Sequence, residues 1–510
     1  MKKLVLTAIL IFVVSNLVPG QSAFLDPQFG TGGLDTMKYS TDSRDEEPWE
    51  LVLLQDWKIL VVGISKVQGV SIPIPGIVRL KANGELDKSF GTSGVSVIET
   101  EGLYPDLRGI NVQPDGKILV SGYFNGGFGI YRTDNLGAVD LSFGEEGWSL
   151  PSICSHDAIE DLAVSKSGRI AGAGYSCEFN ARFTLALLKP DGSLDPDFNG
   201  NGIFTSEFNE AFRSFAAVEF QSDKKIVAAG YCNSTSDPFA TMVYAVRVDS
   251  TGNPDGGFGA SGEFSYTAGF QEELTDMAIQ KDGKILLCFN KILRLNSNGT
   301  IDNTFGKNGI VETTVNYDNI RITCIELQND GKIVAAGTTD HDFPGGGNSH
   351  IIIVRYDQFG NLDNTFGNNG IIMTPIGSFT VYTRSMVLQP DNKILIAGVL
   401  YDYAKNISRV LVARFLPDEA VGTERIQPAQ SGIIVYPNPV DDFIILKNIN
   451  DVTDRLSYQL FDLTGRKISN GLINSDPFNI YTGNLNPSIY LLQVTDNRLK
   501  FVKNLRVIKK

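Results

Sequence analysis

Few side chains in this sequence are placed for chemistry, and most of those recur. In DPDFNGNG, Asp195, Asp197 and Asn199 offer oxygens at alternate positions, which is how a calcium loop begins. Such a loop ends on a glutamate at its twelfth position, and Ser206 stands there, so a structural turn is the better reading. There are three histidines, His156, His341 and His350. The last two share TTDHDFPGGGNSH with Asp340 and Asp342, a candidate metal-binding stretch whose loose, glycine-rich spacing suits a solvated loop better. No cofactor is implied, calcium being the one ion hinted at. No nucleophile elbow, phosphate-binding loop, HExxH or CxxC occurs.

Arg79, Arg132, Arg247, Arg294, Arg355 and Arg414 occupy one strand position, the first five each eight residues before an aspartate. A catalytic group need occur only once, so a group present in nearly every copy reads as structural. A ring of buried or half-buried ion pairs is expected, the arginine fork holding carboxylate or carbonyl oxygens. The third copy departs, with Leu187 in place of arginine.

These residues belong to a two-part unit that occurs seven times. The first part, as in LDNTFGNNG, is centred on Phe29, Phe90, Phe143, Phe198, Phe258, Phe305 and Phe366. Three residues earlier an aspartate always stands (Asp26, Asp87, Asp140, Asp195, Asp255, Asp302, Asp363), and four later a glycine. Aspartate accepts hydrogen bonds from amides just ahead of it and glycine supplies positive φ, so the motif predicts a tight corner with phenylalanine as its apolar plug. The second part, as in QPDGKI, reads as strand, tight turn, strand. Its turn glycine is replaced by Trp57, Lys224 and Asn392. The following strand ends in a small residue and glycine in all copies but one, Cys288-Phe289, which predicts strands crowding near an axis.

Each unit therefore holds four short strands, over 47 residues from Asp255 to Asp302 and 61 from Asp302 to Asp363. Seven such units predict an all-β, seven-bladed β-propeller of four-stranded blades, because radial repetition buries both faces of every sheet. A linear β-solenoid is the alternative. The paired motifs resemble the delta-60 repeat family of bacterial β-propellers over residues 23–416. That resemblance implies a fold and carries no catalytic motif.

Residues 417–432, PDEAVGTERIQPAQSG, lack alternation and read as a linker between the propeller (21–416) and a last unit (433–510). Alternation in FIIL, YQLF and YLLQV predicts a small Ig-like β-sandwich. YPNPVDDFI, LTGRKI, SIYLLQV and KFVKNLRVIKK, in that order, resemble the C-terminal sorting domain of type IX secretion cargo of Bacteroidota. The resemblance implies the type IX machinery as a partner, passage across the periplasm and outer membrane of a Gram-negative cell, and release or attachment at the surface.

Residues 1–20, with a basic start and an apolar run from Leu4 to Val14, read as an export signal, too short to span a bilayer. No transmembrane helix is expected in the mature chain. The formal charge is -14, and loss of Lys2 and Lys3 would make it -16, so nucleic acid is a poor partner. Of five cysteines, Cys154 and Cys177 lie in one copy and are the first pair to test for a disulfide; all five are equally readable as small buried residues.

Loops after the glycine-ended strand vary most among copies and must open on one face of a propeller. Tyr123, Tyr175 and Tyr231 follow that glycine in three successive copies, and Phe343, Tyr401 and Tyr403 lie in the last two loops. Aromatic groups with polar tips suit sugar or peptide sites, while inward packing is the plainer reading for the first three. The sequence points to an exported binding scaffold for glycan, peptide or surface protein. The alternative is an extracellular polysaccharide hydrolase or lyase, which would need an asymmetric carboxylate pair in the central space.

Overall fold

The structure is a computed structural model. It describes residues 24–417 and 434–509 apart from short internal stretches, of which 341–348 and 448–455 are the longest. The expected leader (1–20), the linker (417–432, all but its first residue), Cys154, Cys177, His156, His341 and Phe343 lie outside the described residues. Every regular element described is a strand, and the chain divides into two compact units, residues 1–419 and 420–510.

The first unit contains seven four-stranded antiparallel sheets. Their first strands are Ser43–Leu53, Pro105–Val112, Ala158–Val164, Ala211–Phe220, Asp276–Ile279, Asn319–Leu327 and Thr380–Leu388. Each first strand touches the next, and the seventh touches the first, so these strands ring an axis and the sheets radiate as blades. Seven apolar clusters fill the seven spaces between neighbouring blades. All seven corner phenylalanines are fully buried, each contributing roughly 1.5–3 kcal/mol of apolar burial.

The sequence unit and the blade are out of step by one strand. The short strand after each corner pairs back onto the blade that precedes it; Val95–Val97, for example, pairs with Ile74–Leu80. Leu34–Met37, after the first corner, accordingly has no earlier blade and pairs with Ile407–Phe415 of the seventh. The offset closes the ring.

The second strand does not end at its glycine but runs on past it, as Ile59–Val67 does past Gly63, and the glycine has a different cause from the one expected. The first strand, not the second, lies at the axis, and it carries a β-bulge opposite that glycine in six blades. A Cβ on Gly174, Gly230 or Gly337 would stand 1.9–2.0 Å from the bulged strand's carbonyl oxygen. In the fifth blade, where Phe289 replaces glycine, the pairing ends at Asp276 opposite Cys288 and has no bulge. Close backbone approach was legible; the strand responsible was not.

At each corner the aspartate does two jobs. One oxygen caps the turn, as Asp302 Oδ1 does for the Thr304 amide at 3.0 Å. The other meets the arginine at 2.7–2.9 Å in six blades. The turn lysine of the same blade reaches that oxygen too, as with Lys284 and Asp302 at 3.0 Å. The arginine Cζ also stands 4.3–4.8 Å over the corner phenylalanine ring. In the third blade Leu187 cannot pair, and the turn position is Arg169, whose Nη2 is 2.8 Å from Asp195. The turn cation, lysine in the other copies, is here an arginine. At the tight turns Trp57, Lys224 and Asn392 take φ of 67, 71 and 62°, the left-handed conformation glycine has elsewhere.

The second unit has a three-stranded and a four-stranded sheet. They share one core of Ile444, Leu446, Ile480, Leu460, Leu492 and Val507.

Candidate functional site at the axial space

The bulges decide what the axis carries. The extra residue of each bulge is Trp49, Arg108, Glu160, Ala216, Thr323 or Arg384. Four of these touch in sequence across blades seven, one, two and three. Arg384 Cζ lies 4.6 Å from the Trp49 ring centre and Arg108 Cζ 4.1 Å. Arg108 also meets Asp106 at 2.7 Å and Glu160 at 3.4 Å. Cation over indole is a favourable pairing, worth about 0.5–2 kcal/mol. The other bulges hold only Ala216 and Thr323, so one arc of the axial rim is filled and the other is left open.

One residue further along each innermost strand lies a second layer. Glu50, Asp161 and Asp276, in blades one, three and five, each accept a hydrogen bond from a backbone amide of the following blade: Ile110, Val218 and Ile325, at 2.7–2.8 Å. The receiving blades hold Gly109, Ala217 and Cys324 at the equivalent position, small enough to let the carboxyl pass. Ser385 of blade seven accepts from Leu51 at 3.3 Å in the same way.

Burial raises Asp161 to about 7 and Asp276 to about 8, against the pull of those amide hydrogen bonds. Glu219 is raised to about 8 by burial and then by Asp276, Glu326 and Asp161, and Glu326 to about 7 by burial. Burial and then Asp161 push Glu50 well up. All five keep partial accessibility because they face the axial space, so water screens part of each shift. The axial acids are asymmetric, unlike the corner aspartates.

The sequence candidates scatter. Tyr123, Tyr175 and Tyr231 are half-buried, and Tyr231 packs against the apolar cluster between blades four and five. Tyr401 and Tyr403 meet edge to face, centroids 4.4 Å apart, on the variable-loop end of blade seven. Tyr382, at the start of that blade's innermost strand, joins them with its hydroxyl 3.3 Å from that of Tyr403. Asp195 is held by Arg169, Asn199 Nδ2 donates to the Ile203 carbonyl at 2.7 Å, and Asp197 is exposed at the turn. Ser206 bonds the buried Tyr244 hydroxyl at 2.7 Å. His350 begins a strand beside Thr339. Among the described residues no three His, Cys, Asp or Glu side chains are grouped to hold a metal. Cys288 and Cys324 are buried free thiols, and Cys232 is buried as well.

The axial residues escaped sequence reasoning, although a signal was present. Counting back from the isoleucine after each QPDGK-type turn, the bulge lies ten residues earlier in the six copies that have one, and the acid-layer position nine earlier in every copy. These are the positions where the copies disagree while their neighbours agree. A groove of about 820 Å³ lined by Val139, Leu141, Trp148 and Leu150 lies instead at the corner of blade two.

An all-β propeller joined to a second β unit is what the fold defines. More particularly, the chain carries repeats of the "Domain of unknown function (DUF5122) beta-propeller" at residues 55–90, 113–143, 280–305, 328–366 and 389–418, and a "Secretion system C-terminal sorting domain" at 434–509. No matched stretch lies between 143 and 280, the part where the third copy exchanges its arginine and the fourth puts Lys224 at the turn. The sorting domain implies secretion or cell-surface export. No curated protein matches the chain.

Among solved structures, PorZ, a bacterial surface component of the type-IX secretion system of Porphyromonas gingivalis, is 12% identical, with 94% of this chain and 100% of that one covered and a TM-score of 0.16. The β-propeller domain of the Trilobed protease from Pyrococcus furiosus is 10% identical (76% and 97% covered, TM-score 0.40). The Pyrococcus horikoshii acylaminoacyl peptidase is 12% identical (79% and 59% covered, TM-score 0.38). At these scores the overlaps fix neither ligand nor activity. Among the described residues no helix is long and apolar enough to cross a membrane.

Proposed function

We propose that this chain is an exported binding scaffold, displayed on or released from the outer surface of a Gram-negative cell, whose variable-loop face takes glycan, peptide or a surface protein. The carrying observation is the cluster of Tyr382, Tyr401 and Tyr403, with Tyr382 40% and Tyr403 54% exposed. Rigid aromatic groups with polar tips give contact area at low entropic cost. In this reading residues 1–20 direct export, 417–432 are a linker and 433–510 engage the type IX machinery. Screening the purified chain on glycan and peptide arrays tests the scaffold: retention of ligands weakened by Tyr403→Ala supports it, and no retention overturns it. Deleting 433–510 tests delivery; unchanged surface export overturns that part.

A second reading, a polysaccharide hydrolase or lyase, is favoured by the raised axial acids Glu219 and Glu326, since a carboxyl protonated near neutrality is what general-acid cleavage needs. Release of reducing ends or unsaturated products from a polymer, abolished by Glu219→Gln, would select it over the scaffold.

A further inference from the structure

The open arc of the axial rim is bordered by two arginines without carboxylate partners among the described residues. Arg384 has no carboxylate within 4.0 Å among the described residues, and its guanidinium stands over the Trp49 ring. Arg321, on the neighbouring innermost strand two residues before that blade's bulge, likewise has no ion pair there and is exposed. Arg108, by contrast, is already matched by Asp106 and Glu160. Five guanidinium donors on each of two adjacent side chains are therefore uncommitted, in a chain whose formal charge is -14. Beside them Thr323, on the Arg321 strand, turns its hydroxyl to the Thr383 carbonyl at 3.2 Å, and Ala216 of blade four, on the opposite side of the ring, is small.

We propose that Arg384 and Arg321 form a site for the anionic group of an acidic saccharide, a carboxylate or a sulfate, with the sugar resting on Tyr382 and Tyr403 at the same mouth. This rests on the scaffold reading and names its ligand class. The guanidinium fork matches a two-oxygen acceptor, and Trp49 fixes the Arg384 plane in advance. Burial lowers the Arg384 pKa; Glu47 opposes this, while the like charges of Arg108 and Arg321 add to it. That repulsion is relieved when an anion arrives. A neutral glycan supplies the stacking but leaves the guanidinium groups unmatched.

The test is calorimetric titration of the full chain with oligogalacturonate, a sulfated oligosaccharide, neutral dextran oligomers and a poly-glutamate peptide. Binding of either acidic saccharide, weakened about tenfold or more by Arg384→Gln and unaltered by Arg466→Gln in the second unit, is expected. Arg321→Gln weakens it as well, and added salt does the same. An unchanged melting temperature in Arg384→Gln shows that the loss is not unfolding. Preference for dextran, equal affinity in Arg384→Gln, or tighter binding of the peptide overturns the proposal while leaving a scaffold. Failure of every array and titration ligand overturns both.

Discussion

Arg414 Nε donates to Asp26 Oδ2 across 2.9 Å, joining residues 388 positions apart in the chain. Lys393 reaches the same oxygen at 3.2 Å, and Leu34–Met37 pairs with the strand that carries Arg414. The bond repeats what five other corners do within one blade, but here it fastens the two ends of the propeller. Ser408 reinforces the closure by accepting from the Glu46 amide at 2.7 Å.

Removing that clasp should open the ring. Arg414→Ala leaves a carboxylate that is almost fully buried with one lysine partner, and a broken buried pair costs roughly 3–5 kcal/mol. Lys393→Ala, which leaves the arginine in place, should cost less than about 1 kcal/mol. Urea unfolding of the two variants checks the order, and equal losses would contradict it.

In the third blade the order reverses. Arg169 is the only described cation on Asp195, so Arg169→Ala should destabilise by about 1–3 kcal/mol, discounted because the side chain is 26% exposed. The equivalent Lys332→Ala, where Arg355 remains 2.8 Å from Asp363, should fall within about 1 kcal/mol of wild type.

Two glycines separate backbone crowding from backbone conformation. Gly337→Ala puts a Cβ 1.9 Å from the Arg321 carbonyl, so a loss on the order of 3 kcal/mol or more is expected. Gly331, at φ +86 with nothing within 4 Å, should tolerate lysine at a cost of about 1–2 kcal/mol, as Lys224 already does at the same position. Thermal unfolding of both variants distinguishes the two.

Stability should fall as pH rises from 5 to 8. Asp161, Glu219, Asp276 and Glu326 are raised to about 7 or 8 when folded, whereas unfolded carboxyls titrate near 4. Between those limits the folded chain binds more protons, so each rise in pH favours unfolding. After discounting for axial water, each group contributes on the order of 1 kcal/mol. The corner aspartates act oppositely. Burial would raise Asp302 and Asp363, but threonine and lysine hydrogen bonds outweigh it and hold them low. Their contribution is present above about pH 4 and lost below it. Glu219→Gln should flatten the loss between pH 5 and 8 in urea melts.

Calcium, added to the chain, should leave its melting temperature unchanged, because Arg169 already holds the Asp195 carboxylate and the Asn199 side chain is tied through Nδ2 to the Ile203 carbonyl. A rise at millimolar calcium would restore the ion-site reading of DPDFNGNG.

Recurrence made the propeller legible. Seven copies of Asp, Phe and Gly at fixed spacing dictate seven equivalent corners, since positive φ, turn capping and an apolar plug are local demands that a short stretch meets by itself. The same logic exposed the tyrosine-bearing loops, whose lengths disagree. What local demands do not contain is which blade a strand joins, so the one-strand offset and the ring closure through Leu34–Met37 had to await the tertiary structure. The axial layer is the same case at the level of chemistry. Trp49, Arg108 and Arg384 are unremarkable in sequence, separated by 59 and 276 residues. Only the bulges, which turn one residue of each innermost strand toward a shared axis, bring them within about 5 Å of one ring and leave Arg321 and Arg384 unmatched beside an open arc. Local chemistry fixed the corners, and closure of the circle decided the site.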